Sequence, residues 1–226
     1  MSFSRLYPLL MCALLLWPVA AVQAQVQLVD ENTELPDYSV YYEGVEARDA
    51  GDLATAVAKF TEAAEGGLAI AQHNLGVLYF SGEGVPQDYR QAFEWTQRAA
   101  QQGYVRAMVN LGVLYYNHLG VQPPWMSVWP LSLINRSSNY EQAARWYREA
   151  AAYDDGEAQY YLATMYRQGT GVSQDLAHAY MWARLAQDNE VPQAFPLVAE
   201  LEVEMTAAQR SQAQRDYANW VLENRG

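Results

Sequence analysis

The feature that most constrains this chain is a set of residue columns that return in order. Ala71, Leu75, Tyr79, Gly84, Val85, Asp88, Ala92, Trp95 and Ala99 come back as Ala107, Leu111, Tyr115, Gly120, Val121, Asn139, Ala143, Trp146 and Ala150. They return once more as Ala158, Leu162, Tyr166, Gly171, Val172, Asp175, Ala179, Trp182 and Ala186. A sequence that repeats in this way folds as a stack of small units, each burying its apolar face against its neighbours instead of in one central core. From Ala71 to Ala107 the offset is 36 residues, and it also carries Leu75 to Leu111 and Tyr79 to Tyr115. Read backwards, the offset finds Asp52, Ala56, Ala63 and Ala64, which places a degenerate first unit over residues 40–70.

Inside a unit the spacing is helical. Ala71, Leu75, Leu78 and Tyr79 gather on one face of a first helix, A, because residues three or four apart are neighbours on a helix surface. Gly84 and Val85 break it, and Asp88, three residues before Gln91, has the character of an N-cap. A second helix, B, carries Ala92, Trp95 and Ala99 and ends at Gly103, where a left-handed backbone costs glycine nothing. Asp52, Asn139 and Asp175 hold the same cap column. Gly76 and Gly112 let helices approach closely, and the Tyr and Trp columns fill the space between layers. Asp154 and Glu190 stand where Gly103 stands, so those two helix ends are expected to close differently.

The unit Ala-x-x-x-Leu-Gly-x-x-Tyr, Gly-x-Gly-Val-x-x-Asp, Ala-x-x-Trp-x-x-x-Ala-Ala, intact from Ala71 to Ala100, resembles the Sel1-like repeat, a relative of the tetratricopeptide repeat. The latter has a period of 34 residues; the longer period here and the glycine pairs Gly82 with Gly84 and Gly169 with Gly171 favour the Sel1-like class. The resemblance covers residues 40–193 and implies an all-α, right-handed superhelix of antiparallel helix pairs that serves as an adaptor between proteins, often in secreted or periplasmic bacterial proteins. The units fall at 40–70, 71–106, 107–157 and 158–193, the first acting as an N-terminal cap. Residues 194–226, with a last helix opened by Thr206 and Gln209, supply C-terminal capping helices.

The N-terminus is of another kind. Arg5 precedes an apolar run from Leu6 to Val19, and Val22, Gln23 and Ala24 offer a cleavage-like site, so residues 1–24 read as a cleaved secretory signal. The run is interrupted by Pro8 and Pro18 and falls short of the roughly 20 residues that span a bilayer, which argues against integral membrane insertion. Cys12 is the only cysteine and lies inside that signal, with Met11 where a lipoprotein signal carries a small residue. The mature chain is therefore expected to hold no disulfide and no thiolate. Loss of Arg5 takes the formal charge from −12 to −13, and repulsion from phosphates disfavours nucleic acid as a partner. Residues 25–39 are polar, acidic and aperiodic, and read as a flexible lead-in.

The unit beginning at Ala107 is longer than the others. Trp95 to Trp146 spans 51 residues, 15 more than the repeat, and the excess falls near 123–137. Trp125, Met126, Val128, Trp129, Leu131, Leu133 and Ile134 make this insert apolar where a surface loop is normally polar. It folds back on the solenoid, or presents Trp125 and Trp129 to a protein partner, or docks at a membrane, against which the acidity counts.

For function, the outward positions of the A helices are the default groove residues of such a stack. Asn74, Asn110 and Tyr161 share one column, and Tyr116 and Arg167 lie further along the same faces. Repeated amides at one spacing can bond the backbone of an extended peptide, or bond a neighbouring unit. Catalytic patterns are weak. His73, His118 and His178 fall in unrelated columns with no His-Glu-x-x-His spacing, and neither a Gly-x-Ser-x-Gly elbow nor a phosphate-binding loop ending in Gly-Lys is present. The expectation is an exported, periplasmic or secreted, non-catalytic scaffold for a protein or peptide, without cofactor or metal. A cell-envelope hydrolase of the Sel1-like type and an assembly factor that oligomerises through the insert are the alternatives.

Overall fold

The computed structural model describes residues 38–121 and 131–225, and of 131–137 it gives the helical backbone only. Five of the described helices start where a short side-chain oxygen serves the exposed N–H groups of the first turn. Asp52 accepts from Thr55 N at 3.1 Å, Asp88 from Arg90 N and Gln91 N at 2.9 and 3.1 Å, and Asp175 from Ala177 N and His178 N at the same two distances. Asp155 serves Ala158 N, and Thr206 forms a reciprocal capping box with Gln209. These signals help to delimit ten α-helices among the described residues: α1 (Ser39–Asp49), α2 (Leu53–Glu65), α3 (Ala69–Ser81), α4 (Tyr89–Gln101), α5 (Val105–Tyr116), α6 (Leu131–Ala152), α7 (Gly156–Gln168), α8 (Leu176–Asp188), α9 (Ala194–Glu204) and α10 (Ala207–Asn224). Successive helices pack on one another from α1 to α9, and α10 folds back on α8. The result is an all-α solenoid in which α1, α3, α5 and α7 are A helices, each followed by its B helix.

Two glycine columns set the spacing of the stack. Inside a unit, the residue after the A-helix Leu meets the residue after the B-helix Trp. A Cβ on Gly76 would stand 2.5 Å from Thr96 Oγ1, and one on Gly112 2.5 Å from Tyr147 Cε1, both far inside van der Waals contact. Between units, Gly171 has φ of 68° and its Cβ position overlaps the Tyr140 carbonyl; Gly120 does the same over Tyr89. Both the left-handed backbone and the close approach require glycine there. Buried amides tie the helix ends. Gln72 donates to Ala64 O and accepts from Gln102, and Gln159, fully buried, donates to Asp154 and accepts from Asn189.

Several sequence expectations are corrected. Asn139 is not an N-cap: α6 begins eight residues earlier, and the second half of the insert, 131–137, continues this B helix instead of forming loop. Buried inside the helix, Asn139 donates to His118 Nδ1 at 3.1 Å. His118 has φ of 57° in a column held elsewhere by Gly82 and Gly169, so this bond helps to hold a left-handed residue that is not glycine. Trp146 is half-buried, as is Trp95 beneath the Arg98 guanidinium; the side chain buried to 2% exposure is its neighbour Tyr147. Asp154 and Glu190 do not close their helices differently. They adopt φ of 63° and 59° and repeat the hydrogen bonds of Gly103, with Asp155 N reaching Ala150 O and Val191 N reaching Ala186 O as Tyr104 N reaches Ala99 O.

The two residues differ in what offsets that strain. The Asp154 carboxylate receives Arg225, with Nε at 2.8 Å and a terminal nitrogen at 2.6 Å, and also Asn189 and Gln159. Burial works to raise its pKa, but these bonds outweigh it and hold the carboxyl below the usual range. No hydrogen bond or ion pair reaches the Glu190 side chain among the described residues. Glu190→Gly is therefore expected to stabilise the fold by about 1 kcal/mol by removing a left-handed β-carbon. Asp154→Gly, at the equivalent place, is expected to destabilise it by about 1–2 kcal/mol, and urea unfolding of both variants checks the contrast.

Candidate binding groove

Three cavities lie in line along one face of α5. Side chains at i, i+3 or i+4, and i+7 share a helix face, and on α5 that face reads Arg106, Val109 and Asn110, Val113, Tyr116 and Asn117. The first cavity, about 650 Å³, lies among His73 of α3, Arg106 and Asn110 of α5, the Asp155–Glu157 start of α7 and the 189–193 turn between α8 and α9. The second, about 260 Å³, lies between α3 and α5, walled by Val77, Phe80, Val113 and Leu114 with Gly76 and Thr96 behind. The third, about 280 Å³, lies between α5 and α7 and presents Tyr116, Tyr147, Tyr160 and Tyr161 with Asn117 and Gln168. Asn110 lines the first two and Val113 the last two, so the cavities form one groove that runs from polar to apolar to tyrosine-lined.

The polar end is acidic. Asp155, Glu157 and Glu190 face one cation, Arg106, which has no ion pair among the described residues. Asp155 is engaged as an N-cap; Glu157 and Glu190 have no ion pair among the described residues. His73 is 9% exposed, packs its ring 5.1 Å from that of Tyr104, and leaves Nδ1 buried without a partner. Burial and the nearby Arg106 charge push its pKa down to about 4.

The Sel1 repeat family profile matches residues 69–104, 105–123, 134–152 and 156–188. The chain is a Sel1 repeat protein. Over 84% of its length it is similar to a Sel1 repeat protein from Oxalobacter formigenes, covering 74% of that chain with a TM-score of 0.60 at 25% identity. A stretch of 66 residues, 29% of the chain, is 38% identical to the alginate biosynthesis protein AlgK of Azotobacter vinelandii. Over 54 residues, 24% of its length, the chain is 39% identical to AlgK of Pseudomonas aeruginosa. These matches span 14% and 11% of the two AlgK proteins. Sel1 repeat proteins are typically scaffolds for protein–protein interaction.

Against that family background the expected site residues separate. Asn110, Tyr116 and Tyr161 line this Sel1 repeat protein's groove. Asn74 does not line these cavities and donates to the Tyr41 hydroxyl of the preceding unit at 3.2 Å. Arg167 turns to the C-terminal cap, where it pairs with Glu200 at 2.6 Å and with Glu204. Trp125, Trp129 and the 1–24 segment lie outside the described residues. Sequence columns did not mark Arg106, Val113 or Thr96 as groove residues, and marked Glu190 only as a helix end; the columns of Arg106 and Thr96 change residue type from unit to unit. The three histidines stay apart: His118 bonds Asn139, His178 sits 2.8 Å from its capping Asp175, and no metal-holding cluster of His, Cys, Asp and Glu occurs among the described residues. No described helix is long and apolar enough to cross a membrane.

His73 makes stability depend on pH. Its pKa is 6.5 in the ordinary state and about 4 here, so the unfolded chain takes the proton first. The native state is favoured fully above 6.5 and loses ground as pH falls, until the loss is complete below 4. Between pH 7 and 5 this amounts to about 2 kcal/mol, and it should vanish in His73→Phe, as urea titrations at the two pH values would show.

Proposed function

We propose that the chain is an exported, non-catalytic scaffold that holds an extended segment of a partner protein in the groove along α5. One observation carries the reading: three cavities share their lining residues in sequence, so a single linear ligand can occupy all of them. From Arg106 to Asn117 is eleven residues, about 16 Å at helical rise, which matches about five residues of extended chain. Asn110 stands at the first junction, where an amide can donate to and accept from a peptide backbone. The signal-like character of residues 1–24 supports export. The local likeness to AlgK covers too little of those proteins to bring alginate synthesis with it, and what it supports is the repeat.

Hydrolysis with His73 as the base is disfavoured by the state of that groove histidine. A general base works best with a pKa near the working pH, whereas burial and Arg106 hold His73 far below it.

A displayed library of random twelve-residue peptides, selected on the purified protein, tests the groove. Peptides enriched on the wild type should lose at least about ten-fold in affinity to Val113→Arg, which puts a charge at the junction of two cavities. Arg90→Ala, on an exposed turn of α4, should leave affinity unchanged. Peptides that bind Val113→Arg as well as wild type would place the binding surface elsewhere.

A further inference from the structure

We infer that the cavity at Gly76 and Thr96 receives an aromatic side chain of the partner, with a lysine or arginine of the same segment two or three residues away in the acidic cavity. This rests on the groove reading above and names the chemistry that the groove selects.

Equivalent places in successive units are filled in different ways. The B-helix residue after the Trp packs against the A-helix residue after the Leu in two units, Thr96 on Gly76 and Tyr147 on Gly112, and the same two columns hold Ala183 and Ala163 in the next. In the α5–α6 unit the Tyr147 ring covers Gly112 and stacks on Tyr161 at 5.0 Å between centroids, so glycine and aromatic ring fill the place together. In the α7–α8 unit two fully buried alanines fill it. The α3–α4 unit keeps the glycine and lacks the ring. Thr96 stops at the γ position, and the cleft between α3 and α5 is left open down to Gly76. Its walls, Val77, Phe80, Val113 and Leu114, are those an aromatic ring would pack against, and Val77 and Phe80 are 38% exposed at its rim. A partner's phenylalanine or tyrosine would stand there as Tyr147 stands one unit on. Aromatic anchors in desolvated pockets carry much of the affinity of protein interfaces.

Charge supplies the second element. Asn110 lines both this cleft and the acidic cavity, so a residue two or three positions along an extended chain, about 7–10 Å away, reaches Glu157 and Glu190. Glu190 holds a left-handed backbone with no bond to its side chain among the described residues. Strain retained in that way is characteristic of binding positions. A nucleobase is the other flat ligand such a cleft admits, but a chain with 26 acidic and 14 basic side chains repels the phosphates that would bring it.

The peptides selected above provide the test. The enriched sequences should share an aromatic residue with Lys or Arg two or three positions away. Thr96→Tyr, which fills the cleft from inside as Tyr147 does over Gly112, should weaken them about thirty-fold, the loss of one anchor. Thr96→Ser should change little. Glu190→Gln should weaken them about three-fold, with a loss that shrinks at high salt. Selected peptides without an aromatic, or equal binding to Thr96→Tyr, would overturn the inference; with Val113→Arg still blocking them, the groove itself would stand. If no peptide is enriched, or Val113→Arg is without effect, the groove reading fails first. Should Thr96→Tyr not fold, N-acetyltyrosinamide added to the wild type should shift the methyl resonances of Val77, Val113 and Leu114, and their constancy would overturn the inference equally.

Discussion

The whole stack depends on one steric allowance: at a single point in each unit the A helix has a side chain small enough for the B helix behind it to come through. Gly76 and Gly112 sit so close to Thr96 and Tyr147 that even a methyl group would have to displace them. In the next unit the same two columns hold Ala163 and Ala183, both small and fully buried. With that approach fixed, the conserved volume of the unit must be filled by whatever the B helix inserts, and the groove face inherits the result. A long ring gives a wall of tyrosines at the third cavity, whereas a short hydroxyl leaves the second cavity open. The variation on which binding depends is therefore a by-product of how a constant packing problem is solved in each unit.

Helix ends obey a second constraint, and its exceptions are informative. Each B helix closes through a left-handed residue, glycine at 67 and 103 but Asp154 and Glu190 further on. An L side chain in that conformation costs roughly 1–2 kcal/mol. At Asp154 the cost is met by a network that joins α6, α7, the end of α8 and the C-terminal Arg225. His118 does the same with Asn139. Glu190 has no such network and faces the acidic cavity.

Much of the fold was legible in the sequence because repetition multiplies weak signals. Asp88 alone is one helix-start residue among many; with Asp52 and Asp175 in the same column it marks three caps, and all three accept from their first turns. The same reasoning misread Asn139, since a column states what the average unit does and the insert had lengthened α6 past it. Trp146 misled in a similar way. Its size and recurrence suggested burial, but a B-helix residue lies either on the inner face or beside it, and the next residue, Tyr147, takes the inner place. The groove was legible in part. Asn110, Tyr116 and Tyr161 lie on the outward A-helix faces that the stack makes available, whereas Thr96 belongs to a B helix, and its importance arises from a neighbour in space, Gly76, and from the size of what is missing. Periodicity records presence and not a void.

The distribution of charge follows from the same economy of few basic residues. Arg167 and Arg225 are held by carboxylates at the C-terminal end, Arg184 reaches Asp188 and Gln187, and Arg210 donates to the Glu202 carbonyl. Lys59, the single lysine, bridges Glu43 and Glu62 at the N-terminal unit. Exposed pairs of this kind contribute little each, about 0–1 kcal/mol, and they engage the cations at the two ends of the solenoid. Along α5, the polar cavity has Arg106 as the one arginine or lysine in its lining, facing Asp155, Glu157 and Glu190. In an acidic chain, a cavity that sets one arginine against three carboxylates keeps uncompensated negative charge, and field lines from such a concavity favour a cationic ligand before any contact is made.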